Sequence, residues 1–273
     1  MKFHKFTLIV FYIFLLCFSI GSAQKLNDMY SFKQQMHGSP FVENLGQWNA
    51  STQFGIHYPN MNAWITPTGF VFDVNTSVSE AEHSTLSTPS SQLPPSSINN
   101  EVQGHVIRMG FTGGTLAQSK GMKKQDGVYH YLLGQKPSEW KHDVKLFEEV
   151  RIAALYKGID MNIYSSKNQF RYDLLCDSTS IPSDIHLVFE GAVTVRLAPE
   201  GSIIIGTSIG DMFMGSPVAY QVINGKKINV ECSYKVSPDG SIGFELGKYN
   251  TKQELIIDPP VFSNIVGGND SDN

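Results

Sequence analysis

A serine flanked by two glycines is the closest match in this chain to a known catalytic motif. Residues 206–210 are GTSIG and place Ser208 in the G-x-S-x-G pattern of serine hydrolases. That chemistry needs a strand-to-helix turn that exposes the hydroxyl beside an oxyanion hole. Here Gly215 and Pro217 follow closely and prevent a helix of useful length. We expect a glycine-rich hairpin turn at Ser208 and rank a secreted hydrolase third among the functions.

Carboxylates and histidines offer acid–base or metal chemistry. Glu43 with Asp73, or Asp160 with Asp173, would act as general acid and base only if their carboxyl groups lay about 5–10 Å apart across a cleft. Carboxylates on the outside of strands are usually just solvated. The histidines have no ligand spacing and are scattered singly at His57, His105, His130, His142 and His186. We therefore expect no catalytic residues, no metal and no cofactor.

Aromatic side chains indicate binding more readily than catalysis. Trp48, Trp64 and Trp140 have the planar rings on which many sugar-binding modules stack pyranose rings, although aromatic residues more often fill β cores. Trp140 lies in the polar segment PSEWK at residues 137–141, which is the least core-like setting of the three. It is the residue that we select as a candidate ligand-binding side chain.

Two cysteines, Cys176 and Cys232, lie in the body of the chain. In an oxidising compartment such a pair can form a disulfide. Each also lies in an apolar, strand-like stretch, where a cysteine often acts as a small buried hydrophobe. The distance that decides between a bridge and two free thiols is not readable from sequence.

The N-terminus has the layout of a signal peptide. Lys2 and Lys5 precede an apolar run over residues 6–20, and Gly21-Ser22-Ala23 supplies the small residues that favour cleavage before Gln24. The run is shorter than the roughly 20 residues that a membrane anchor needs. We therefore predict a signal peptide over residues 1–23, a polar lead-in over 24–40, no membrane span after cleavage, and a location at the cell surface or outside the cell.

The formal net charge of the whole chain is −4. Without an overall excess of lysine and arginine, the chain has no electrostatic reason to bind nucleic acid. The partners that we expect are a cell-surface protein or a polysaccharide.

Alternating apolar and polar residues predict the elements that position these side chains. Phe170, Tyr172 and Leu174 alternate with polar residues, and the chain repeats such short runs between turn residues. Asn224-Gly225 is a strong signal for a two-residue hairpin turn. The best helix candidate covers residues 146–156, which fit a strand followed by a turn equally well. The pattern predicts an all-β, antiparallel, sandwich-like domain of many short hairpins.

Residues 75–100 depart from this rhythm. Serine, threonine, proline and asparagine dominate the segment, and such a composition buries too little apolar surface to offset its ordering entropy. We predict a flexible insertion within one β domain, and a linker between two domains is the alternative.

Seven blocks of the sequence resemble an uncharacterised β domain (DUF7948-like) that precedes seven-bladed β-propeller repeats in surface and secreted proteins of Bacteroidota. They occur in the family's order at residues 41–48 (FVENLGQW), 64–72 (WITPTGFVF), 156–161 (YKGIDM), 189–192 (FEGA), 217–221 (PVAYQ), 243–247 (GFELG) and 255–259 (LIIDP). The resemblance implies a β domain over residues 41–258 and the start of a truncated propeller repeat over 259–273. It supplies no reaction and no catalytic residues.

Together these observations favour a non-enzymatic, extracytoplasmic β module with a structural or adhesive role. A carbohydrate-binding module is the alternative.

Overall fold

Extended strands make up nearly all of the regular structure. The computed structural model describes residues 38–78, 101–260 and 263–266, in which no α-helix occurs. The first ten strands are β1 Phe41–Glu43, β2 Phe54–Tyr58, β3 Met61–Thr66, β4 Gly69–Val78, β5 Glu101–Phe111, β6 Ser119–Tyr131, β7 Lys141–Tyr156, β8 Ile159–Ser166, β9 Gln169–Cys176 and β10 Leu187–Glu190. The other nine are β11 Thr194–Leu197, β12 Ile203–Thr207, β13 Gly210–Met214, β14 Val218–Ile223, β15 Lys226–Val230, β16 Cys232–Val236, β17 Ile242–Leu246, β18 Leu255–Asp258 and β19 Ser263–Val266.

The predicted all-β antiparallel fold is confirmed. A 15-stranded sheet has the order β15-β14-β18-β9-β8-β7-β1-β2-β3-β4-β5-β10-β17-β16, and β6 pairs with β7 beside this path. A second sheet has the order β11-β12-β13-β19. Strand β9 shows why these sequences form strands: Phe170, Tyr172 and Leu174 are fully buried, whereas Arg171 and Asp173 between them point outward.

The large sheet curls over its own core. The ring centroids of Phe70 on β4 and Phe170 on β9 lie 5.0 Å apart, although five strands separate β4 from β9 in the sheet order. Ile205 and Met212 from the second sheet belong to the same buried cluster. The two sheets therefore enclose one core in a sandwich-like arrangement.

Short turns follow the predicted turn chemistry. β3 and β4 form a hairpin, and Asn224 and Gly225 join β14 to β15, where a hairpin turn was predicted, with φ angles of 53° and 73°. Two positive φ angles are what a type I′ turn requires.

The helix candidate over residues 146–156 is wrong, because this segment belongs to strand β7. Leu146, Val150 and Ile152 are buried in strand alternation, and a register irregularity follows between Ile152 and Tyr156. Ala154 has a φ of 51° there. This residue shifts the alternation of inward-facing and outward-facing side chains, so that Leu155 is buried. This bulge puts apolar residues at a spacing that imitates a helix.

One strand runs into the predicted insertion, and another lies in the C-terminal segment predicted as the start of a propeller repeat. Residues 75–78 continue strand β4, because their backbone pairs with the beginning of β5 up to the partners Val78 and Glu101. Near the C-terminus, β19, which lies within residues 259–273, pairs with β13 as the edge of the second sheet. The predicted signal peptide, residues 24–37 of the lead-in, residues 79–100 of the insertion and residues 267–273 lie outside the described residues.

Candidate functional site

Ser208 lies in the turn between β12 and β13, as the sequence analysis expected. These strands form an antiparallel hairpin in which Thr207 pairs with Gly210. The Thr207 hydroxyl donates a hydrogen bond to the Gly210 carbonyl (2.6 Å) and closes the turn. Strand β13 follows Ser208 at Gly210, so the strand–turn–helix context of a serine hydrolase nucleophile is missing at this turn.

The structure nevertheless brings Ser208 to His105 of strand β5, a contact that sequence reasoning missed. The distance from His105 Nδ1 to Ser208 Oγ is 2.9 Å, and His105 Nε2 lies 2.7 Å from the Gly191 carbonyl oxygen. An Nε2–H that donates to this carbonyl leaves Nδ1 as an acceptor for the Ser208 hydroxyl. The imidazole thus joins the turn of the second sheet to strand β5 and to the residue after β10.

The groups around this serine–histidine pair are already engaged in the folded chain. The Ser208 N–H donates to His105 Nδ1 (3.2 Å), and the Ile209 N–H donates to the Thr207 hydroxyl (3.1 Å). An oxyanion hole needs free N–H groups beside the nucleophile. Within the described residues no carboxylate holds the imidazole. The arrangement is that of a contact between two sheets.

Three of the four carboxylates proposed from sequence as acid–base pairs have other partners in the structure. Glu43 lies 3.6 Å from the Lys145 ammonium, and Asp160 accepts a hydrogen bond from Arg151 (2.9 Å). Asp173 accepts a hydrogen bond from the Tyr164 hydroxyl instead (3.1 Å). These three carboxylates have internal partners, which is the ordinary arrangement of charges on a sheet surface.

Asp173 has a second carboxylate beside it that the sequence did not indicate. Ile257 of β18 pairs with Leu174 of β9, and the next residue, Asp258, accepts a hydrogen bond from Arg171 (2.7 Å). Burial, and then the charge of Asp258, raise the pKa of Asp173 to about 6. The neighbouring carboxylate therefore adds to the effect of burial on Asp173.

Both cysteines of the β domain are free thiols in the structure. Cys176 is buried at the end of β9, and Cys232 is partly buried at the start of β16. Burial raises the pKa of each thiol to about 12. The thiolate is the reactive form of cysteine, so neither thiol is activated as a nucleophile.

The three tryptophans lie in different settings, and all are partly exposed. Trp48 packs on a small buried cluster of Val42, Val144 and Leu146. Trp64 lies on the outer face of β3, opposite Val71 of β4. Trp140 follows the 3₁₀ turn Pro137–Glu139 at the end of the β6–β7 hairpin. It lies in a surface loop, as its polar neighbours predicted.

The end of the β6–β7 hairpin projects beyond the sheet. Residues 141–145 of β7 pair only with β6 among the described strands, with Val128 opposite Lys145 and Tyr131 opposite Lys141. The ring of Tyr131 packs edge-on against Trp48 at a centroid distance of 5.6 Å. Aromatic packing therefore holds the end of the hairpin, next to Leu132, against Trp48.

The hairpin tip, defined as Val128, Tyr129, Leu132 and Leu133, exposes apolar side chains. Leu132 is 53% exposed and Leu133 is 62% exposed. Beside this tip, the Trp140 indole N–H donates to the Gly134 carbonyl (3.3 Å), and its ring lies 6.5 Å from that of His142. Sequence reasoning selected Trp140 and missed the two leucines. The sequence signal that could have found them is that they are consecutive apolar residues. Successive side chains of a strand point to opposite faces of a sheet, so the two leucines cannot both face the same core.

The described part of the chain contains no group of three His, Cys, Asp or Glu side chains that could hold a metal ion. Its helical segments are also too short to span a bilayer.

The fold and these surfaces define an all-β module with one core and a projecting apolar hairpin. The chain belongs to the family of the domain of unknown function DUF7948, whose model matches residues 41–260. The resemblance seen in the sequence blocks is thereby confirmed for this domain. No curated protein and no solved structure matches the chain significantly.

Proposed function

We propose that this chain is a non-enzymatic, structural and adhesive β module that acts outside the cytoplasm, at the cell surface or after secretion. The observation that carries the proposal is the hairpin tip, where Leu132 and Leu133 are exposed on a ribbon that projects from the sheet. The signal-peptide layout of residues 1–23 supports the compartment. The resemblance to domains that precede propeller repeats supports a role in presenting such repeats.

The tip has the chemistry of an interaction surface. Clustered apolar side chains in water gain free energy when a partner covers them, and full burial of a leucine contributes about 1.5–3 kcal/mol. In the folded chain, about half or less of each of these two leucines is already covered. Burial of the rest of Leu132 and Leu133 by a partner would therefore contribute about 2 kcal/mol in total to the binding free energy. That is a roughly 30-fold change in affinity.

Charge makes a small contribution at this tip. The Lys136 ammonium pairs with the Glu139 carboxylate at 3.2 Å, and Lys145 lies near Glu43 on the same hairpin's base. Exposed pairs of this kind contribute little and are screened by salt. Adhesion through the tip should therefore persist at high ionic strength.

The test is binding of the purified chain to immobilised cell-envelope protein and polysaccharide fractions, with the double variant Leu132→Asn/Leu133→Asn. We expect binding to weaken about 30-fold, and wild-type binding to change less than about threefold between 0.1 and 0.5 M salt.

A matched control is available on another hairpin. Val222 and Ile228 on β14 and β15 are 53% and 48% exposed, so Val222→Asn/Ile228→Asn removes similar apolar surface elsewhere. Equal losses in the two double variants would show that the tip has no special role. Unchanged binding in the tip variant would refute the adhesive proposal.

A carbohydrate-binding module is the second candidate, and the partly exposed ring of Trp140 beside the tip favours it. Sugar rings stack on such surfaces through their C–H groups. Trp140→Ala should then weaken binding to polysaccharide or cell-wall material. Unchanged binding would remove this role for Trp140.

A further inference from the structure

A small notch opens on the outer face of the large sheet, away from the hairpin. Its volume is about 190 Å³, and it lies where β4, β5 and β10 are adjacent. Gly69 of β4 pairs with Gly110 of β5 in its floor, where neither residue supplies a side chain and Val188 packs beside Gly110. A Cβ on Gly69 would lie 2.1 Å from the Met109 carbonyl oxygen, and one on Gly110 would lie 3.0 Å from Val188 Cγ2.

The notch has polar groups of opposite charge at its rim. Arg108 of β5 and Glu190 of β10 are direct neighbours across the two strands, and both are exposed. Among the described residues neither side chain has a hydrogen-bond or ion-pair partner, in contrast to Arg151 with Asp160 and Arg171 with Asp258. Their donors and acceptors are therefore available to a ligand.

Hydroxyl and apolar groups complete the lining. Thr68 and Thr112 contribute hydroxyls, and Val71 and Val188 contribute apolar surface. Trp64 lies opposite Val71 on the same face of the sheet and is partly exposed, but it is not part of the lining. This is a combination of donors, acceptors and apolar surface in one place.

We propose that this notch binds one sugar unit of a neutral glycan. Arg108 and Glu190 are direct neighbours and together give the rim no net charge, so a neutral ligand that both donates and accepts hydrogen bonds matches it. The guanidinium donates to sugar oxygens, and the carboxylate accepts from sugar hydroxyls. The two valines cover the C–H face of the ring.

The size of the notch agrees with a single ring. Pockets for drug-sized ligands have volumes of about 300–1,000 Å³, so 190 Å³ suits one small polar unit of a longer chain. The site is independent of the hairpin tip, because none of its lining residues belongs to β6 or β7.

The experiment is an array of neutral and anionic oligosaccharides probed with the whole chain, followed by calorimetric titration with the best neutral oligosaccharide. We expect binding to a neutral member, weakened at least tenfold by Arg108→Gln and by Glu190→Gln. Because both positions are exposed, these variants should fold, and circular dichroism with thermal melting checks this. Gly110→Ser, which would fill the notch, should also weaken binding.

The matched control pair is Lys235→Gln and Glu245→Gln, two exposed charges on β16 and β17. Their affinities should stay within twofold of the wild type. The Leu132→Asn/Leu133→Asn variant should also bind the glycan normally, which separates this site from the adhesive proposal. The proposal is overturned if no neutral oligosaccharide binds, if binding is confined to anionic ones, or if the Arg108 and Glu190 variants bind like the wild type.

Discussion

The His105–Ser208 contact can be dissected by a double-mutant cycle that separates a structural role from catalysis. Ser208→Ala removes one exposed hydrogen bond (2.9 Å), and such a bond contributes about 0.5–1 kcal/mol to stability. His105→Ala also removes the donor to the Gly191 carbonyl and the acceptor of the Ser208 N–H. It should lower the free energy of unfolding by about 1–2 kcal/mol, and the effect is no larger because water replaces part of these hydrogen bonds. The coupling between the two changes should be about 0.5–1 kcal/mol.

Urea unfolding of the wild type, both single variants and the double variant measures these free energies. In parallel, the wild type is treated with a fluorophosphonate probe and assayed for hydrolysis of p-nitrophenyl acetate. We expect no labelling of Ser208 and equal background hydrolysis in wild type and Ser208→Ala. Labelling of Ser208, together with hydrolysis that falls by orders of magnitude in Ser208→Ala, would refute the structural assignment and the non-enzymatic proposal.

Two further predictions concern polar side chains, one partly buried and one almost fully buried. Because the pKa of Asp173 is raised to about 6, the folded chain keeps a proton that the unfolded carboxyl loses near pH 4. The free energy of unfolding should therefore fall by about 1 kcal/mol between pH 4 and 6, after allowance for partial solvent exposure. Asp173→Asn should remove this dependence and stabilise the chain at pH 7.5 in thermal melts at several pH values; an unchanged pH profile would contradict the assignment. Gln221 is 2% exposed, and its side-chain amide donates to the Asn250 carbonyl and accepts from the Asn250 N–H (2.8 Å each). Gln221→Leu should therefore lower the free energy of unfolding in urea by about 2–3 kcal/mol. A loss no greater than that of the exposed change Val222→Thr would count against this network.

The sequence predicted those parts of the fold that depend on neighbouring residues. Alternation along β9 and the turn at Asn224-Gly225 are local signals, because both depend on residues a few positions apart. Strand β7 shows the limit of such signals. Its bulge at Ala154 changes which residues face the core, and the apolar spacing then fits a helix and a strand equally well.

The candidate sites depended on pairings that no local pattern contains. His105 and Ser208 are separated by 103 positions, and Arg108 meets Glu190 only because β5 and β10 become neighbours in the sheet. The two glycines in the floor of the notch, Gly69 and Gly110, are also brought together by a pairing of this kind, that of β4 with β5. Sequence reasoning located Ser208 and Trp140 in turns or loops but had no access to these registers.

The strand order has a consequence for how the chain acquires its structure. β18 lies between β9 and β14 in the finished sheet, although it is synthesised about 80 residues after β9. The first and last strands of the sheet path, β15 and β16, are separated in the chain by a single residue, Glu231. Such non-local topology slows folding to milliseconds or longer, because loop-closure entropy is lost before the contacts form. A nascent chain that lacks residues 255–258 would therefore hold the β14–β15 hairpin unattached, and completion of the sheet awaits one of its last strands.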